Sequence, residues 1–128
     1  LRGINVRNTL TDEWKDRGVN AHSEFAILTD EIYNGTFEMN ARELKEYKSL
    51  GKENNLRDHM NDIELILTML GEATTTKITV DKNSHGFSKL KKDAKIGGMV
   101  AGRTRKDIER QTKSKVMSKG NFLMAGRR

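Results

Sequence analysis

The 128-residue sequence has no cysteine and no proline, and aromatic residues make up only 5% of it. The missing cysteine excludes a disulfide framework and any thiolate metal site, which suits a reducing cytoplasm. A cytoplasmic location is the expectation, with nucleoid association as an option. The missing proline removes the strongest helix breaker, so long helices are permitted throughout. No apolar run reaches the roughly 18 to 20 residues that a bilayer span needs, and no signal peptide is recognisable. No membrane partner is expected, and the longest apolar stretch, "IELILTML" at 63–70, reads as a buried helix.

What is present is charge and helical spacing. With 33% charged residues, the sequence reads as one all-α domain over 1–128, with about five helices and a long basic helix near its end. It opens at Leu1 rather than methionine and reads as a piece of a longer protein. The net charge of +6 conceals a segregation. Residues 1–88 carry 11 Lys/Arg against 15 Asp/Glu, whereas 89–128 carry 13 against 3. An acidic helical body over 1–86 is followed by a basic helix and tail over 87–128. Such a separation of sign speaks about partners, and nucleic acid or an acidic protein surface is the natural class.

Along the chain, "NTLTDEWKDRG" reads as a short helix with Thr9 or Thr11 as cap and Gly18 as stop. "AHSEFAILTDEIYNG" follows, with Ser23 as cap, Phe25, Leu28 and Ile32 at helical spacing, and Asn34-Gly35 as its end. Trp14 and Phe25 are expected to pack these two helices together. In "NARELKEYKSLG", Asn40 and Glu43 form a capping-box pattern and Gly51 closes the element. The fourth element, from Leu56 through the threonines Thr74, Thr75 and Thr76, is expected to be one helix. Leu56, Met60, Ile63, Leu67 and Leu70 would lie on its buried face, broadened by Ile66 and Met69. "VDKNSHG" is a turn, and the fifth helix spans 88–112.

Within that helix, "GGMVAGRT" at 97–104 imitates a phosphate-binding loop, with Gly97, Gly102, Arg103 and Thr104 at the spacing of G-x-x-x-x-G-K-[ST]. Such a loop must follow a buried strand and open a helix, so that free backbone amides converge on phosphate. The preceding "SKLKKDAKI" has no strand alternation, and the planar fork of Arg103 does not replace a lysine there. The motif is therefore expected to be helix, and no nucleotide or other cofactor is expected. At 100° per residue, Lys92, Lys95, Met99, Arg103, Lys106 and Arg110 fall in one stripe about 80° wide and about 27 Å long. Phe87, Leu90, Ala94, Gly97, Gly98, Ala101 and Ile108 lie opposite. The face of Ala94, Gly97, Gly98 and Ala101 is expected to pack closely against another helix or a second copy.

The candidate nucleic-acid contacts are Lys92, Lys95, Arg103, Arg105, Lys106, Arg110, Lys113 and Lys115, with Lys119, Arg127 and Arg128 as further cations. Phe87 and Phe122 alone interleave them, too few for base stacking on single strands. His59, between Asp58 and Asp62, has the residue types of a metal or acid–base site, but helical spacing makes it a polar face. His22 and His85 stand at element edges and are expected to be exposed, and Asp30-Glu31 reads as a solvated face. No catalytic residue and no metal ligand is assigned.

Four blocks, "TLTDEWKDRGV", "FAILTDEIY", "LRDHMNDIELILTMLGEATTT" and "GGMVAGRTRKDIERQTKSKVMSKGNFL", together resemble the C-terminal region of the bacterial DNA-damage-inducible protein D family over about 8–123. The resemblance implies a BRO-type domain, similar to phage antirepressor domains, ahead of this region. It also implies a bacterial, cytoplasmic, SOS-associated protein with no established enzymatic reaction, and it supplies no catalytic set. One departure is visible: relatives tend to end the basic helix in Thr-Gly, where this chain has Thr112-Lys113.

Two expectations follow. The first is a non-enzymatic DNA-damage response protein that binds nucleic acid mainly through phosphates along its basic helix. The alternative is a protein-interaction or dimerisation module acting on a recombinational-repair or regulatory partner, or forming a homodimer.

Overall fold

A computed structural model describes residues 2–119. Its elements are α1 (Arg2–Asp16), α2 (His22–Phe37), α3 (Ala41–Tyr47), a single 3-10 turn (Leu56–His59), α4 (Asp62–Lys82) and α5 (Phe87–Thr112), with no strand among the described residues. The expected all-α class and helix number hold. α5 lies against both α2 and α4, α1 crosses α4, and α3 meets the end of α2.

Capping chemistry sets several boundaries. Asn40 accepts from the Glu43 amide while the Glu43 carboxylate accepts from Asn40 N, closing the expected capping box on α3. Gly18 stops α1 at φ +112°. The turn before α5 is fastened there, because Gly86 N donates to Arg17 O at 2.9 Å and the Arg17 guanidinium donates to Ser84 O at 3.0 Å. Other boundaries differ from expectation. Thr9 and Thr11 lie inside α1, their hydroxyls donating back to Asn5 O and Asn8 O rather than capping. Ala21, not Ser23, stands at the start of α2. α2 runs past Asn34-Gly35 to Phe37 and ends at Glu38, whose φ of 61° is left-handed.

The fourth element is two pieces. Asn61 accepts from Glu64 N and Glu64 accepts from Asn61 N, a second capping box that starts α4 afresh after the 3-10 turn. The break changes which face is buried. Inward stand Glu64, Leu67, Thr68, Gly71, Glu72, Thr75 and Thr79, whereas Ile63 and Ile66, expected in the core, are exposed. His59, expected on a polar face, is buried in the 3-10 turn.

Polar burial on α4 is tolerated because partners arrive from elsewhere in the chain. Glu64 meets Lys48 Nζ at 2.9 Å, both side chains fully or almost fully buried. Lys48 also donates to Ser118 O, and Ser118 N donates to Glu64, so this pair ties down the chain beyond α5. Glu72 receives Arg57 at 2.7 Å and Arg7 at 3.4 Å. Thr79 donates to buried Asp93 of α5 at 3.0 Å. Beside Glu72, the Tyr33 phenol is pushed up to about 12, first by burial and then by that carboxylate.

The apolar core is divided. One cluster joins Leu10, Trp14, Val19, Leu28, Ile32, Leu90 and Ala94, with Phe25 packed on it; Trp14 and Phe25 approach to 6.3 Å between ring centroids, as expected. The other joins Tyr33, Phe37, Leu44, Leu56, Met60, Leu67 and Val116. Between them the helices touch through backbone. A Cβ on Gly35 would stand 2.5 Å from Gly98 C, and one on Gly98 would stand 2.7 Å from Ile32 O. A Cβ on Gly102 would strike Gly35 O, and one on Gly97 would strike the Thr75 hydroxyl. The small residues of α5 form its crossing with α2 and α4. Ala94, Gly97, Gly98 and Ala101, expected to pack against another helix or a second copy, are all buried within the chain, where they meet helices of the same molecule.

Candidate nucleic-acid interface

α5 carries 26 residues and buries a face of Leu90, Asp93, Ala94, Gly97, Gly98, Ala101, Gly102 and Arg105. Burying that face against two helices leaves the opposite side to water, and there the cations stand. The imitation phosphate loop is interior helix. Thr104 donates its hydroxyl to Val100 O at 3.0 Å, and residues 97–104 sit in the helical hydrogen-bond ladder without free amides to offer.

Lys92, Lys95 and Arg103 are exposed, and among the described residues no carboxylate pairs with them. Lys106 meets Glu38 of α2 at 3.2 Å, and Arg110 meets Asp107 at 2.6 Å. The hydrogen bond and charge of Lys106, with the charge of Arg105, hold the exposed Glu38 carboxyl below its ordinary range. Lys113 ends α5 in a left-handed conformation, φ 60°, a backbone geometry that favours glycine. Lys115 is exposed on a groove of about 440 Å³ beside Ile63 and Ile108. Phe122, Arg127 and Arg128 lie outside the described residues.

Arg105 departs from its expected role as a phosphate contact. It is 4% exposed, donates Nε to Thr36 O at 2.7 Å and pairs with Glu109 at 2.8 Å. Helical spacing carries the reason: at 100° per residue Arg105 stands about 140° from Lys92, on the buried side. Its guanidinium closes the end of the α2–α5 crossing.

The structure also assembles cations that the stripe omitted. Lys82 at the end of α4 joins Lys89 and Lys92 around a groove of about 270 Å³, floored by Asp93 and Ile96. Lys89 was within reach of sequence reasoning, three residues before Lys92 on the same helix; Lys82 required the tertiary turn. Ile96 and Met99, 39% and 44% exposed, add apolar surface between the cations.

Other candidate chemistry is sparse. His22 and His85 are exposed, and among the described residues no group of three or more His, Asp or Glu side chains converges to hold a metal. Among the described residues no helix is long and apolar enough to cross a membrane.

Comparison with known proteins bears on most of the chain. The family model described as the DinD C-terminal domain matches residues 3–119. No curated protein and no solved structure matches.

Proposed function

The chain belongs to the DinD C-terminal domain family, with a role related to DNA damage, and from that premise we propose that it acts there by binding nucleic acid without catalysing a reaction. The contacts are to phosphates, along the outward face of α5. The carrying observation is the row of Lys92, Lys95 and Arg103, three exposed cations on one helical stripe without carboxylate partners. Lys89 and Lys82 extend it at one end. Lys106 and Arg110 extend it at the other once Glu38 and Asp107 release them. Cations kept unpaired on one line suit a polyanion, because each phosphate neutralised releases a counterion. Little base specificity is expected, since no aromatic side chain stands in the row.

Fluorescence anisotropy of the chain against duplex and single-stranded DNA of matched length, at two salt concentrations, tests this. Three to five neutralised phosphates on duplex give a slope of log affinity against log salt of roughly −3 to −5. Replacing Lys92, Lys95 and Arg103 together by alanine flattens it by about 3. Absence of binding at low salt, or a flat slope, refutes the proposal.

A second reading is favoured by Ile96 and Met99. A cationic stripe with exposed apolar side chains also suits an acidic face on a recombinational-repair or regulatory protein. Charge reversal at Arg103 and Lys106 separates the two, because only the first loses DNA affinity.

A further inference from the structure

α4 is built inside out. Its inward positions are largely polar, and its outward face is apolar: Ile63 is 40% exposed, Ile66 57% and Val80 46%. These residues belong to a longer pattern. Ile63, Ile66, Leu70, Ala73, Lys77 and Val80 recur at spacings of three, four, three, four and three, the narrow seam that packs one helix against one other. At 1.5 Å per residue the seam is about 26 Å long. α1 borders one side of it without covering it. Ala73 lies between two shallow grooves, one of about 250 Å³ against α1 and one of about 470 Å³ along α4 itself. A small residue flanked by two hollows is a receptor for a bulky side chain on a facing helix.

We propose that this face is a dimer interface, in which α4 of one chain packs antiparallel on α4 of a second copy. The seam is self-complementary in that direction. With Leu70 of one copy opposite Ala73 of the other, Ile66 meets Lys77 and Ile63 meets Val80, so every seam position finds its counterpart. Leu70, half-buried against the second core cluster of its own chain, turns its outer side to the hollows beside Ala73, the central contact occurring twice by symmetry. Parallel pairing instead sets Lys77 against Lys77. Lys77 pairs with Asp81 of its own helix at 2.9 Å. In the antiparallel arrangement its stem covers Ile66, and its ammonium lies between that Asp81 and Asp62 of the second copy, an exposed carboxylate without a cationic partner among the described residues. The helix dipoles also oppose favourably. A single-helix seam is a small interface, so weak, concentration-dependent association is expected. The inference is independent of nucleic-acid binding.

Sedimentation equilibrium of the 128-residue chain across the micromolar range tests it. A monomer–dimer equilibrium is expected, and Ile66→Asp raises the dissociation constant at least about tenfold. The melting temperature of that variant stays near the parent value at concentrations where both are monomeric, since Ile66 faces water. The absence of native cysteine allows a check of direction. Under oxidising conditions Ile66→Cys mixed with Lys77→Cys forms a disulfide between the two species. Ile66→Cys alone does not, because two copies of position 66 are offset by about 16 Å. A chain that stays monomeric overturns the proposal and leaves the seam to a helix of another protein. A dimer indifferent to Ile66→Asp, or one in which Ile66→Cys links to itself, overturns it equally.

Discussion

Replacing Gly98 by alanine opposes two effects of known sign. A mid-helix glycine costs about 1 kcal/mol relative to alanine, so propensity alone makes the variant more stable by about that amount. The structure opposes this. The added Cβ would stand 2.7 Å from Ile32 O, 3.0 Å from Glu31 O and 3.0 Å from Ile32 Cα, all backbone atoms of α2 that cannot rotate away. Restoring ordinary contact separates α2 from α5 by more than half an ångström, and that separation also loosens the contacts of Gly35 and Gly102. Overpacking of this kind typically costs 1–3 kcal/mol, and here it lies at the upper end because backbone must yield. The net expectation is a loss of about 2 kcal/mol, or a fall in melting temperature of roughly 6–10 °C for a chain of this size. Urea unfolding followed by far-ultraviolet circular dichroism measures it, with exposed Ser88→Ala on the same helix as the control for propensity. Gly35→Ala probes the other side of the same contact, 2.5 Å from Gly98 C, and the double variant is less destabilised than the sum because one separation relieves both. A Gly98→Ala protein as stable as its parent, or more so, refutes backbone contact as the reason for the glycine.

Arg105→Ala removes a buried donor to Thr36 O and is expected to cost about 2–4 kcal/mol in urea unfolding, whereas Arg103→Ala stays within about 0.5 kcal/mol and loses DNA affinity instead. Lys113→Gly relieves a left-handed residue at the end of α5, and thermal melts should show a gain of about 0.5–1 kcal/mol. Glu38→Gln frees Lys106 from its carboxylate, and anisotropy should show DNA affinity rising up to about fivefold, the scale of an exposed ion pair. In a Tyr47→Phe background, the ultraviolet absorbance of Tyr33 should titrate with a midpoint of about 12. Because the unfolded phenol ionises near the ordinary value of 10, stability is full below that pH and is lost as pH rises from there through 12. A midpoint near 10 in protein still folded by circular dichroism contradicts the burial.

Where the sequence was readable, the signal was local. α5 starts one residue before its expected limit and ends at Thr112 as expected, because its lysine-rich and small-residue faces repeat without interruption. The Asn40–Glu43 box needs only four residues. The same signature at Asn61–Glu64 was equally local, but apolar Leu56, Met60 and Ile63 across it suggested one continuous face and hid the break. The inverted burial of α4 was not legible in its own sequence. Glu64 and Glu72 are acceptable inside only because Lys48, Arg57 and Arg7 meet them, and nothing in α4 announces partners that distant. Arg105 lay between these cases: its angle set it apart from Lys92, yet its neighbours Arg103 and Lys106 made it look like one of their row.

The α2–α5 crossing also orders events in time. Arg105 and Thr36 are 69 residues apart, as are few contacts that a chain makes early, and non-local pairings of this kind slow folding. During synthesis α2 and α4 emerge with their glycine and threonine surfaces facing nothing, since the helix that fills the space between them follows both. At typical elongation rates the 26 residues of α5 need roughly one to five seconds to be made. For that interval Leu28, Ile32 and Trp14 lack the side chains of Leu90 and Ala94 that complete their cluster. The nascent chain is then most exposed to aggregation and to holdase chaperones, and a ribosome stalled before residue 87 leaves a product that has made most of its helices and cannot close on them.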